Sequence, residues 1–350
     1  MVQPAAGYRP INPSNDPPLD DVGGPPPASA PPTTPGRPAT DVAATQAVLE
    51  PRREADLAIQ RRLDAFRDAM TPSYQTSDGY VPVSAAFTMS RPSSNEQRPP
   101  ELRRLQSRDW ADLQSAAASA DLQAALGQIR SGRGTPEQIR AIAQALIDQG
   151  HAVAGRYGDL HSSIRQTMAD HGIGVDCAGY VQQAYLSVTG LDRARARFAA
   201  SENENLSHLE RRGYERVDQL AAVRPGDLVV LGPQPAISDD PHPVGHRAIV
   251  YDQRLTTPAD MEKLIRMPGA QPFAAGGPIR VFEVDSSWGD GGHPEVGGVN
   301  RETWWYSESA RQWAWQAQGD GTRFCVGSTP YGHPCEPPAE GFFRDPRRAP

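Results

Sequence analysis

Cys177, His246 and Asp285 stand in that order along the chain, and together they are the residue types of a thiol nucleophile, a base and a group that orients the base. Cys177 lies in GIGVDCAGYVQQAYLSVTG (172–190), where Val181, Ala184, Tyr185 and Val188 recur at helical spacing until Gly190. The cysteine therefore opens a buried helix. There, unpaired backbone N–H groups and the positive end of the helix dipole favour thiolate over thiol. The same position also suits a small, inert, buried cysteine.

His246 opens the run HRAIVYD after Gly245, where a strand can present an imidazole at its start, and the turn-rich segment before it can border a cleft. His151, His161, His171 and His208 sit in polar or helical stretches and read as surface histidines. In IRVFEVDSSWG, period-2 alternation puts Val281, Glu283 and Asp285 on one face of a strand and Phe282 and Val284 on the other. An acid on an inward face is costly unless paired, and an imidazolium would offset that cost. Asp285 is the preferred orienting group, with Glu283 second.

Three segments carry a family resemblance. VDCAGYV resembles the D-C-S/A-G-F/Y-V motif at the head of the nucleophile helix in NlpC/P60 cysteine peptidases. VRPGDLVVL (223–231) is similar to that family's PGDL strand, and GHRAIVYD is similar to the strand that bears its histidine. They occur in the family's order over roughly residues 150–290. The resemblance implies a papain-like α+β fold with Cys177 as nucleophile, His246 as base and Asp285 as third residue, and no cofactor or metal. Tyr157 is a loose match to the family's upstream tyrosine. The implied activity is hydrolysis of amide or peptide bonds, most commonly in peptidoglycan stem peptides. Ala178 stands where serine is commoner. A thiol acyltransferase, transamidase or deamidase acting on lipid or protein would use the same residues, and an inert interaction protein could keep the fold.

The rest of the chain must position these groups. Its 350 residues, 38% of them hydrophobic, suffice for a sizeable core. The net charge of −7 argues against a nucleic-acid partner bound by phosphate neutralisation. No run of apolar residues is long enough to span a bilayer, and the polar start lacks the apolar stretch of a secretory signal. Synthesis in the cytoplasm is expected. For a wall-directed enzyme that implies an exported effector, with a secretion apparatus and an immunity protein as partners, or a phage-type lysin.

Twelve of the first forty residues are proline, so 1–45 is expected to be a disordered leader. Residues 46–150 read as a helical module. In it Leu57, Leu63, Phe66 and Met70 share a face, and Thr135, Pro136 and Gln138 start a capped helix with an Ile139, Ile142, Ala143, Leu146 stripe. Residues 151–320 form the expected catalytic domain, with strands at 227–231, 247–252 and 279–285 and a helix capped by Thr257, Pro258 and Asp260. Residues 321–350 read as a Pro/Gly-rich tail. In it Cys325 and Cys335 suit a disulfide better than a zinc site with His333. Five of the six tryptophans lie between Trp288 and Trp315, and part of that cluster should be core. DSSWGDGGHPE lacks the alternating Asp or Asn ligands of a calcium loop, since Ser287 and Gly289 occupy those places.

Overall fold

The computed structural model describes residues 42–88, 110–152, 158–191, 206–231, 246–266, 278–288, 298–310, 312–316, 324–327 and 341–347. The leader expected at 1–45 lies almost wholly outside them. The chain divides into Met1–Gln46 and Ala47–Pro350. Of the first unit only the opening turn of helix α1 (Val42–Ala69) is described.

In the second unit, helices pack on one large sheet. The hairpin β1 (Ser73–Thr76) and β2 (Gly79–Pro82) follows α1. Next come α2 (described over 110–116), α3 (Ala120–Arg130), α4 (Pro136–Asp148), α5 (Leu160–Asp170) and α6 (Cys177–Thr189). The remaining elements are α7 (Leu206–Arg211), β3 (Glu215–Arg216), β4 (Leu228–Leu231), β5 (His246–Leu255), α8 (Pro258–Ile265), β6 (Ile279–Trp288), β7 (Gly298–Ser307), β8 (Gln312–Gln316), β9 (Phe324–Gly327) and β10 (Gly341–Arg344). The eight strands β3 to β10 form one sheet in the order β3-β10-β4-β5-β6-β7-β8-β9. Every pairing is antiparallel. The mixed helix and sheet architecture is α+β.

Both faces of the central strands are covered, which is why DLVVL and RAIVY are almost continuously apolar. Leu228, Val230, Ile249 and Phe343 join the helices in one buried cluster with Leu63, Phe66, Ile139, Tyr180 and Tyr185. Their strand neighbours Val229, Ala248, Val250 and Phe342 join Phe282, Val284, Trp304 and Trp313 in a second cluster on the other face. The helices of 47–150 thus share a core with strands 100 residues downstream. Phe282 and Val284 lie on the face expected for them. Trp304, Trp305 and Trp313 are buried, whereas the side chains of Trp288 and Trp315 lie outside the described residues. Leu57 departs from its expected face and is 43% exposed. Within the expected tail, Gly341–Arg344 form β10, wedged between β3 and β4.

Local signals account for the helices that orient the core. Thr135 and Gln138 form a reciprocal capping box on α4, with Pro136 at its first position. Thr257 and Asp260 do the same for α8. Ser119 caps α3, and residues 117–119 separate it from α2. No helix among the described residues is long and apolar enough to cross a membrane.

Candidate active site

Cys177 is the first residue of α6. Asp176 caps the helix by accepting a hydrogen bond from the Gly179 N–H, and Gly190 ends it in the left-handed conformation at φ +67°. The approach to the cysteine is threaded tightly. A Cβ at Gly174 would come within 2.1 Å of the Ala86 carbonyl oxygen, and one at Gly179 within 2.0 Å of that of Gly132. The Ser287 hydroxyl of β6 donates to the Val175 carbonyl at 2.7 Å, tying the segment to the sheet.

Cys177 is 9% exposed, and Arg247 of β5 is among the neighbours of its thiol. Backbone hydrogen bonds from Arg247 and Ala178 and the Arg247 charge favour its anion. They are outweighed: burial first, and the neighbouring Asp176 carboxylate second, push the thiol up to about 11. Both effects favour the thiol over the thiolate. Against the pull of the helix end stand burial, which is the larger effect, and the charge of the helix cap. A capping carboxylate takes an N–H group of the first turn and places a negative charge beside the sulfur. Asp176 in turn lies 3.6 Å from the Arg133 guanidinium.

Asp285 is completely buried on β6, opposite Ile249 of β5. Both its oxygens accept from Arg301 of β7, at 2.7 and 2.8 Å. Arg301 also lies 3.1 Å from Asp64 of α1 and stacks over the Tyr251 ring. The Tyr251 hydroxyl donates to Asp64 at 3.0 Å. Burial raises the Asp285 carboxyl above its ordinary range against the pull of Arg301. The inward acid is paired, as its burial demands, but its partner is a guanidinium. Glu283 is part-buried beside Asp252 and 3.9 Å from Arg254; burial, then Asp252, raises it.

His246 opens β5, and its backbone pairs with Leu231 of β4, one step from the Arg247↔Val230 pair. Its side chain lies outside the described residues, as do Tyr157, His333, Cys335 and the side chain of Cys325. The structure thus brings Cys177 against β5 through Arg247 and gives the oxygens of Asp285 to Arg301.

Two features were not anticipated, one at the sulfur and one on the opposite face of the sheet. Arg247 is buried at the sulfur, and its signal in the sequence was only its place in an apolar strand. Glu302 of β7 accepts from the Trp304 indole N–H at 3.0 Å, and desolvation pushes its carboxyl up to about 7. Its parity with Trp304 and Tyr306 in RETWWYS was the available clue.

No protein-family model, curated protein or solved structure matches this chain.

Proposed function

We propose that this chain is a papain-like thiol hydrolase of the NlpC/P60 kind, cleaving amide bonds in bacterial peptidoglycan stem peptides. The observation that carries the reading is the seat of Cys177. It heads a buried helix packed on β5, the strand whose first residue is His246. The order of the three motifs supports the same assignment.

In this reading Cys177 rests as a neutral thiol and ionises only as it reacts. Its proton passes to an imidazole nitrogen of His246 while sulfur bonds to the amide carbon. The carbonyl oxygen becomes an oxyanion, held by the backbone N–H of Cys177, since that of Gly179 is engaged by Asp176. Collapse breaks the C–N bond, and the imidazolium protonates the departing amine. Water then attacks the thioester, giving one proton to His246 as the S–C bond breaks, and that proton returns to sulfur. Arg247 stabilises negative charge on sulfur at both steps. Asp285 acts through Arg301 as a structural tether of β6 to β7 and α1.

The test is digestion of purified cell wall by the wild type and by Cys177→Ala. Release of new amino groups by the wild type alone is expected, and equal release by both rejects the assignment. A second reading, an inert cysteine in an interaction protein, is favoured by the sulfur's burial and its raised titration. Alkylation of wild type and His246→Ala against pH separates the two. A hydrolase loses reactivity with the imidazole, whereas an inert thiol titrates identically in both.

A further inference from the structure

On the helical side of the molecule three potential metal ligands converge that the proposed chemistry does not use. They are Asp112 of α2, His151 just beyond α4, and His171 at the C-terminal cap of α5. Each offers one ligand atom, and these atoms lie within 4.8 Å of one another. His171, expected from the sequence to lie on the surface, is 7% exposed.

The hydrogen bonding of His171 fixes what its other nitrogen can do. Nδ1 lies 2.8 Å from the Thr167 carbonyl oxygen, which can only accept, so Nδ1 carries the hydrogen. In the neutral ring Nε2 is then a lone pair. It is buried and has no hydrogen-bond partner among the described residues. What it faces is another acceptor: an Asp112 carboxylate oxygen at 3.8 Å, too far for a hydrogen bond even to an imidazolium. The His151 ring meets the His171 ring edge-on, with centroids 5.1 Å apart. Two imidazoles and a carboxylate that bring one potential ligand atom each within 4.8 Å of the others form a donor set that suits a cation.

We propose that Asp112, His151 and His171 form a binding site for a divalent transition-metal ion of the zinc class, with water as the fourth ligand. Nitrogen and oxygen donors in this number suit zinc, at bond lengths of about 2.0–2.2 Å, which puts tetrahedral ligand atoms about 3.4 Å apart. The 3.8 Å gap between Asp112 and His171 is already close to that spacing. The part-exposed Asp112 side chain can close the rest by rotation. The supporting shell is built as well. The Thr167 carbonyl orients His171, while the Thr167 hydroxyl, whose nearer acceptor is the Ser163 carbonyl at 2.8 Å, also lies 3.3 Å from the His151 carbonyl. Bound metal would pin α2 and the ends of α4 and α5 together, immediately before the Gly172–Asp176 segment that leads to Cys177.

The test is a titration of the full chain, stripped with a chelator, with Zn²⁺ against a competing dye and with Co²⁺ followed by visible absorption. One equivalent of Zn²⁺ is expected, with a tetrahedral Co²⁺ band, no competition from excess Mg²⁺, and a rise in melting temperature on adding Zn²⁺. Asp112→Asn and His151→Gln, both at part-exposed positions, should each weaken Zn²⁺ at least tenfold and abolish that rise while circular dichroism stays unchanged. His171→Ala should do the same but may be replaced by these two if it misfolds. Absence of stoichiometric Zn²⁺ binding, preference for Mg²⁺, or binding that is unaltered in Asp112→Asn and His151→Gln would overturn the site.

Discussion

Two helix ends in this protein each hold a nearly buried side chain able to donate an electron pair, and their surroundings treat them in opposite ways. At the start of α6 the Cys177 sulfur is hemmed by neighbours: two backbone hydrogen bonds, the Arg247 charge, and the Asp176 carboxylate, with burial and the carboxylate prevailing. At the end of α5 the His171 ring has one nitrogen satisfied by Thr167 and the other, opposite Asp112, without a hydrogen-bond partner among the described residues. A buried group whose surroundings suppress its charged form is held in reserve and needs a reaction partner to act. A buried lone pair facing other acceptors suits a cation.

The contrast rests on which buried groups are already engaged, and the largest test concerns Asp285. Asp285→Ala takes from Arg301 its fully buried, doubly hydrogen-bonded partner, leaving Asp64 beside the guanidinium, and should cost about 3 kcal/mol in urea unfolding. A cost under about 1 kcal/mol would show that Arg301 does not need Asp285, freeing the acid for a role beside His246.

The second test is steric. Gly179→Ala forces a methyl group onto the Gly132 carbonyl oxygen and should cost about 1–3 kcal/mol, because backbone stands on both sides. Unchanged stability would mean that the segment around Cys177 is looser than its packing indicates.

The third concerns the thiol. Asp176→Asn keeps a capping side chain but removes the charge beside the sulfur, so the pH of half-maximal alkylation should fall below that of the wild type. No movement would assign the raised titration to burial alone.

The smallest effect is expected at Glu302. Its folded-state carboxyl titrates near 7, above the ordinary 4.5, so the folded state holds the proton more tightly than the unfolded chain. Stability from this group is present below about pH 4.5 and is lost as pH rises toward 7. Glu302→Gln, which keeps an acceptor for Trp304, should flatten that slope in melting temperature against pH. An unaltered slope would point to another group.

The elements whose cause is local were legible in the sequence. The α4 capping box, the α8 cap, the start of α6 at Cys177 and its stop at Gly190 depend on residues within one or two turns. The three main strands were marked by apolar runs. What the sequence did not reveal depends on register between distant segments. Nothing near Asp285 announces Arg301, which arrives from β7 through strand pairing. Nothing near Gly341 announces that it joins the sheet beside β4, 110 residues earlier. His171 looked like a surface residue because its helix is polar, and its burial comes from α2 and the end of α4 folding over it. At the thiol the charge of Asp176 beside the sulfur was legible in the sequence, whereas the larger opposing effect, burial under β5, was not.

The decisive measurement is the separation of the Cys177 sulfur from the nearer ring nitrogen of His246 in a crystal structure of the full chain. The proposed hydrolase requires the two within hydrogen-bond reach, directly or through one water. An imidazole on the far face of β5, among the Phe282 and Trp304 cluster, would contradict it.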